Sequence, residues 1–166
     1  VGIDVGAKIG KILVDAFGDR MAAPDLMTGL VASDRKGRKN RRGFYAYDDT
    51  GQRGGVDASV YADLGIQPTG SVPRAEIQER VSLALINEAA RCLEEGILRS
   101  AADGDVGAVM GIGFPPFRGG PFFWIDQVGA AEVVRRLRLL TDRHGARFEP
   151  AAILVEAAEA GTKFRN

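Results

Sequence analysis

One histidine and one cysteine are all the chain has for chemistry that depends on imidazole or thiol. A nucleophile–base pair using imidazole could use only His144, an intrachain disulfide is impossible with Cys92 alone, and a zinc site would need mostly carboxylates. His144 closes a helical stretch just before Gly145, where an imidazole suits the negative end of the dipole. Cys92 falls on an apolar helix face, where it reads as a small hydrophobe.

Three other stretches carry binding chemistry. The loop from Gly111 to Trp124 holds five of the chain's 12 aromatic residues, with Pro115, Pro116 and Pro121 fixing its path and Gly111, Gly113, Gly119 and Gly120 permitting close approach. It reads either as a rigid wall presenting Phe114, Phe117 and Phe122 to an apolar ligand or neighbouring domain, or as a buried corner between helices. It is a poor phosphate cradle, because the dinucleotide fingerprint begun by Gly111 and Gly113 would need glycine where Pro116 stands.

The run Arg35, Lys36, Arg38, Lys39, Arg41 and Arg42 puts six cations in eight positions. It could hold the phosphates of a nucleotide-containing ligand, or be a solvated loop after a helix C-terminus. Without interleaved aromatics it is a weak nucleic-acid signal. Asn87 and Glu88 form a polar pair at the edge of an apolar helix face, with Glu94 and Glu95 about two turns on; such a pair orients a ligand or is merely the solvated side of a long helix.

Composition narrows the classes. The 166 residues contain 22 Lys plus Arg and 22 Asp plus Glu, so net charge is zero and no global field draws nucleic acid or anionic membrane. With 45% hydrophobic and 27% charged residues the chain reads as folded, with no apolar run long enough to span a bilayer. A soluble, cytoplasmic protein is expected. The sequence begins at Val1, and we expect a piece of something longer.

The elements that position these residues read as helices punctuated by glycine and proline. Apolar residues recur at three- and four-residue spacing from Asp4 to Phe17, and a shorter helix is expected from Pro24 through Val31. Phe44 to Tyr47 is a brief extended segment, and 48–72, rich in glycine and weakly periodic, reads as a linker. A long helix is expected over 74–95, a short one capped by Asp103, and others over 130–143 and 150–160. The fold class is all-α.

The beginning and the end of the chain resemble each other. Ile3-Asp4-Val5-Gly6 resembles Ile125-Asp126-Gln127-Val128-Gly129, Pro24 meets Pro150 and Gly37 meets Gly161, at offsets of 122 to 126 positions, and the stretch from Lys39 to Phe44 meets Lys163-Phe164 with a shorter spacer. Two amphipathic helix pairs can also look alike by chance. A duplicated helical unit is expected, with residues 1–47 the back half of one copy, 48–72 the linker and 73–166 a full second copy.

Together these residues carry a resemblance. Gln78-Glu79-Arg80, the run from Asn87 to Gly96, Asp103-Gly104-Asp105-Val106-Gly107 and the run from Gly113 to Phe122 look like the last helical domain of multifunctional fatty-acid β-oxidation enzymes, which fuse an enoyl-CoA hydratase to a 3-hydroxyacyl-CoA dehydrogenase. Arg38-Lys39-Asn40 with Gly43-Phe44-Tyr45-Ala46-Tyr47 resembles the end of that dehydrogenase family's helical domain.

The resemblance implies a 3-hydroxyacyl-CoA dehydrogenase C-terminal-like helical bundle, duplicated, belonging to an enzyme that oxidises 3-hydroxyacyl-CoA with NAD. The family's catalytic histidine and glutamate lie in a Rossmann domain that would precede Val1, as would its NAD site, so no catalytic, cofactor or metal residue carries over and the chain alone should be inactive. Asn87 takes, by the repeat, the place of a family asparagine, in a copy expected to be structural. Substrate-proximal or interdomain positions would be Lys36, Arg38, Lys39, Asn87, Phe114, Pro115, Phe117 and Phe122. Expected partners are acyl-CoA in the parent enzyme, the chain's own upstream domains, and a second copy or a thiolase subunit, without nucleic acid or a membrane span. The competing expectation is a helical module that binds acyl-CoA or dimerises without catalysis.

Overall fold

A computed structural model describes residues 2–22 and 26–165, and the chain forms two compact units, Val1–Ser71 and Val72–Asn166. Among the described residues there are eight α-helices, a few 3-10 turns and one two-stranded antiparallel hairpin, so the all-α expectation is borne out. No helix among them is long and apolar enough to cross a membrane.

In the first unit α1 (Ile3–Phe17) stops at Gly18, whose positive φ lets its N–H return to Val14 O. A 3-10 turn, Gly18–Met21, leads toward α2 (Leu26–Ala32), which closes when Arg35 N–H donates to Leu30 O. The expected helix start at Pro24 lies outside the described residues. The aromatic segment is strand β1 (Tyr45–Tyr47), paired with β2 (Arg53–Val56).

The stretch 48–72 departs from the expected linker. It supplies β2 and α3 (Ser59–Asp63), and the longest run without regular structure is the one after Gly65. The cause is Arg35, whose side chain is 0% exposed. Its guanidinium donates to Asp63 at 2.6 Å, to Asp57 and Gly43 O at 2.8 and 2.7 Å, and to Ser59 Oγ, so one buried cation ties the segment after β2 to the end of α2. A buried guanidinium is tolerated only with such complete pairing.

The second unit is built on α4 (Arg74–Glu94), closed near Gly96, and α5 (Ala101–Ile112). Ser100, not Asp103, caps α5: its hydroxyl accepts Asp103 N–H, so Asp103 holds the third helical position. The aromatic stretch is half helix, because Pro121 opens α6 (Pro121–Val128) and only Gly113–Gly120, with one 3-10 turn, remains a loop. Then come α7 (Ala130–His144), a 3-10 turn (Ala146–Phe148) and α8 (Ala152–Ala160); Pro150 stands two residues ahead of α8. Leu83, Ile86 and Ala90 of α4 meet Phe122 and Ile125 of α6, Val133, Leu137 and Leu140 of α7, and Leu154 of α8 in one core.

Candidate functional site

Within the second unit a groove of about 350 Å³ lies along the first half of α4, closed by the 113–120 loop, α6 and α7. Its apolar lining is Leu83, Ile86, Phe114, Pro115 and Trp124; Gln78, Glu79 and Ser82 come from α4, and Arg118 and Arg136 from the other elements. Arg136 also pairs with Glu132 at 2.7 Å. Arg135 and Arg136 together hold the Glu132 carboxyl down at about 2. Apolar contact with two guanidinium groups suits an amphiphile or a protein surface. No imidazole lies among the groove's lining residues beside Ser82.

The loop closes the groove because two helices are latched beneath it. Asp105, 3% exposed on α5, accepts Phe122 N–H at 2.7 Å and Phe123 N–H at 3.2 Å, satisfying the first orphan donors of α6. Burial pushes its carboxyl pKa up, while these N–H groups and Arg165, at 3.2 Å, draw it back. Gly104 lies under Phe122, where an added Cβ would stand 2.5 Å from the ring, and a Cβ at Gly120, whose φ is positive, would stand 2.4 Å from Asp105. The Asp-Gly-Asp and Gly-Gly-Pro-Phe motifs are two halves of one joint.

The aromatic residues of the expected wall do not face one way. Phe114 and Pro115 line the groove, Phe117 is 82% exposed, and Phe122 is completely buried against Phe164, their ring centres 5.5 Å apart. Asn87 is buried too: its Nδ2 donates to Glu149 O at 2.8 Å and its Oδ1 accepts Ala151 N–H at 2.9 Å. The side-chain amide thus stands in for a peptide across Pro150, and both its polar atoms are spent on holding the start of α8.

The basic run lies in the first unit and is largely neutralised there. Lys36 pairs with Asp34 at 2.6 Å, Lys39 with Asp4 at 2.9 Å, Arg42 with Asp63 at 2.8 Å and Arg41 with Asp49. Among the described residues Arg38 has no ion pair; with Lys39, Phe44, Tyr45 and Tyr47 it lines a hollow of about 380 Å³. Exposed pairs of this kind contribute little, so a phosphate could reopen those of Lys36 and Lys39, but not that of Arg35.

His144 does end α7; its Nε2 is 3.5 Å from Glu76 on α4, and its ring meets Phe148 edge-on at 6.0 Å. Cys92 is half-buried and forms no disulfide. No cluster of three or more metal-ligating side chains occurs among the described residues. Nor do these residues fit a dinucleotide: the fingerprint opens a helix after a strand, whereas Gly113 ends α5 in the left-handed conformation. Sequence reasoning missed Trp124, Arg118 and Arg136 as groove residues and Arg35 as a buried hub; Trp124 stands on another face of α6 than the buried Phe122 and Ile125, and nothing local marked Arg35.

Comparison with known proteins gives the relatives. Residues 1–47 match the family model described as 3-hydroxyacyl-CoA dehydrogenase, C-terminal domain. The chain is 51% identical over 164 residues to the fatty acid oxidation complex subunit alpha of Shewanella halifaxensis, 99% of this chain and 23% of that protein. It is 52% identical over 165 residues to that of Shewanella amazonensis and 51% over 164 to that of Shewanella loihica, with the same shares covered. The resemblance read from the residues is borne out, and the chain spans about a quarter of the length of these curated relatives.

Proposed function

We propose that this chain, similar over nearly its whole length to fatty acid oxidation complex alpha subunits, is the helical C-terminal part of an NAD-dependent 3-hydroxyacyl-CoA dehydrogenase. The observation that carries the reading is the 51% identity over 164 residues, joined to the dehydrogenase match of residues 1–47. In this reading the parent enzyme acts in β-oxidation in the cytoplasm, NAD accepts hydride when bound by an upstream Rossmann domain, and the present residues form a scaffold beside the acyl cleft. A second copy or a thiolase subunit would be the partner of that larger protein.

The duplication belongs to the same proposal. In the first unit α1, the 3-10 turn Gly18–Met21 and α2 follow one another as α7, the turn Ala146–Phe148 and α8 do in the second. An aspartate anchors the tail each time: Asp4 binds Lys39 Nζ, and Asp126 accepts Phe164 and Arg165 N–H at 2.8 Å. This supports 1–47 as the back half of one copy and 73–166 as a second. The test is turnover of a 3-hydroxyacyl-CoA by the full-length protein with NAD, against none by residues 1–166.

A second reading is favoured by the groove alone, in which Leu83, Ile86, Phe114 and Trp124 take an acyl chain near Arg118 and Arg136. Trp124 is the sole tryptophan, so a long-chain acyl-CoA that entered would change its fluorescence. Unchanged emission and no heat in calorimetry would remove this reading.

A further inference from the structure

The groove under the 113–120 loop brings cations and a hydrocarbon wall into one small space. Arg118 is held beside it by a stiff turn: Pro115 and Pro116 fix the backbone, Arg118 N–H donates to Pro115 O at 2.9 Å, and Gly119 closes the turn in the left-handed conformation. Its guanidinium makes no ion pair among the described residues and stands 5.7 Å from the centre of the exposed Phe117 ring. Arg136 enters from α7 and shares the carboxylate of Glu132 with Arg135. Glu79, the acid of the lining, also interacts with Arg135. Three cations thus stand against two carboxylates, and Arg118 is the one left over.

The uncharged polar groups of the lining add donors. Gln78 and Ser82 on α4 and the indole N–H of Trp124 on α6 make no side-chain hydrogen bond among the described residues, and each can donate one. Opposite them lie Leu83, Ile86 and Phe114, all buried beneath the groove floor.

We infer that this groove is a site for a free fatty carboxylate, its tail against Leu83, Phe114 and Trp124 and its acid group on Arg118. The inference rests on the second reading above, in which an acyl chain enters the groove, and names another ligand class for it. At about 350 Å³ the groove is near the lower end of small-molecule pockets. It has no room for a pantetheine arm and a nucleotide besides a chain. A thioester is neutral, and the phosphates of an acyl-CoA come a whole pantetheine arm further on, so cations set against the apolar wall would meet no anion in that ligand. A carboxylate joined directly to the hydrocarbon brings charge and tail in together, and a guanidinium takes it through two parallel N–H···O bonds. A saturated fatty carboxylate has no hydroxyl to oxidise, so the site binds the hydrolysis product of an acyl thioester and performs no chemistry on it.

Titration of residues 1–166 with dodecanoate below its aggregation concentration, read by Trp124 emission and calorimetry, tests this. Binding should saturate, and dodecan-1-ol, with the same tail and no charge, should bind about tenfold or more weakly, as the loss of a charge-assisted hydrogen bond requires. Arg118→Gln, a change at an exposed side chain, should weaken dodecanoate by a similar factor, and Ser82→Phe, which fills the groove from the exposed side of α4, should remove binding. No saturable signal from dodecanoate overturns the inference, and so does binding that neither variant changes. If dodecanoyl-CoA binds and dodecanoate does not, this inference fails and the acyl-CoA reading stands; if only dodecanoate binds, the acyl-CoA reading fails and this inference stands. In the full-length protein, equilibrium dialysis should count one bound dodecanoate fewer for Ser82→Phe than for the unaltered protein; equal counts would mean that the groove is closed there and overturn the inference. Neither readout involves dehydrogenase turnover, so failure of the proposed enzyme would leave this result untouched.

Discussion

The carboxylate of Asp105 in α5 accepts the backbone N–H of Phe122 at the start of α6 at 2.7 Å. One buried side chain thus joins two motifs that are 17 residues apart in the chain and closes the loop over the groove. The joint is made of a helix N-terminus, whose N–H groups have no partner within the helix, and an anion that burial alone would disfavour.

Asp105→Ala leaves the first N–H groups of α6 buried without acceptors and should destabilise the second unit by about 1–3 kcal/mol. Asp105→Asn keeps one acceptor and should lose less. Urea unfolding followed by Trp124 fluorescence measures both; equal stability of all three proteins would show that the cap contributes nothing.

Gly104→Ala places a methyl group 2.5 Å from the Phe122 ring, which is fully buried and cannot yield. Overpacking of this kind costs about 1–3 kcal/mol. The same substitution at Gly107, which has open space around its Cβ position, should be neutral or slightly stabilising through helix propensity. Thermal melts of the two variants, compared side by side, check the contrast.

Asn87→Ala removes both hydrogen bonds that hold the turn at Pro150, and an unfolding loss of about 1–3 kcal/mol is expected. Asn87→Asp should be nearly as damaging, since the carboxylate would face Glu149 O where the amide donated. If Asn87 instead served a ligand, either change would leave the melting temperature of the free protein unmoved.

Acid should separate the two units. Hydrogen bonds from Ser59 and Arg35 hold the Asp57 carboxyl at about 2, below the ordinary carboxylate range, so its contribution is present above about pH 4 and lost as pH falls toward 2. Asp105 has the opposite sign: its pKa is raised, so the second unit loses stability as pH rises through the carboxylate range and regains it on acidification. Glu132, also held at about 2, joins only its own helix neighbours, and such pairs contribute little. The three tyrosines, Tyr45, Tyr47 and Tyr61, lie in the first unit and Trp124 in the second. On titration from about pH 6 down to pH 2.5 the tyrosine near-ultraviolet signal should therefore disappear before the tryptophan signal; coincident transitions would contradict the assignment.

The helices were legible because their apolar residues recur at helical spacing and glycines of positive φ stop them, as Gly18, Gly96 and Gly161 do. The resemblance was legible because several motifs in a fixed order are far more specific than any single residue. What stayed hidden depends on contacts between segments. Arg35 reads like its cationic neighbours until Asp57 and Asp63 fold onto it, which is why 48–72 resembled a linker. Phe122 looked like part of an aromatic wall because a loop's sequence does not show which rings face inward, and Trp124 reaches the groove only because α6 begins at Pro121.

The central claim is tested most directly by following NADH formation from a 3-hydroxyacyl-CoA with the full-length protein and with residues 1–166 in parallel. We expect turnover by the full-length protein, no turnover by residues 1–166 at any concentration, and a loss of turnover on warming at a lower temperature when the second unit is destabilised by Asp105→Ala combined with Gly104→Ala in the full-length protein. Turnover by residues 1–166, or a full-length protein inert toward 3-hydroxyacyl-CoA of every chain length, would contradict it.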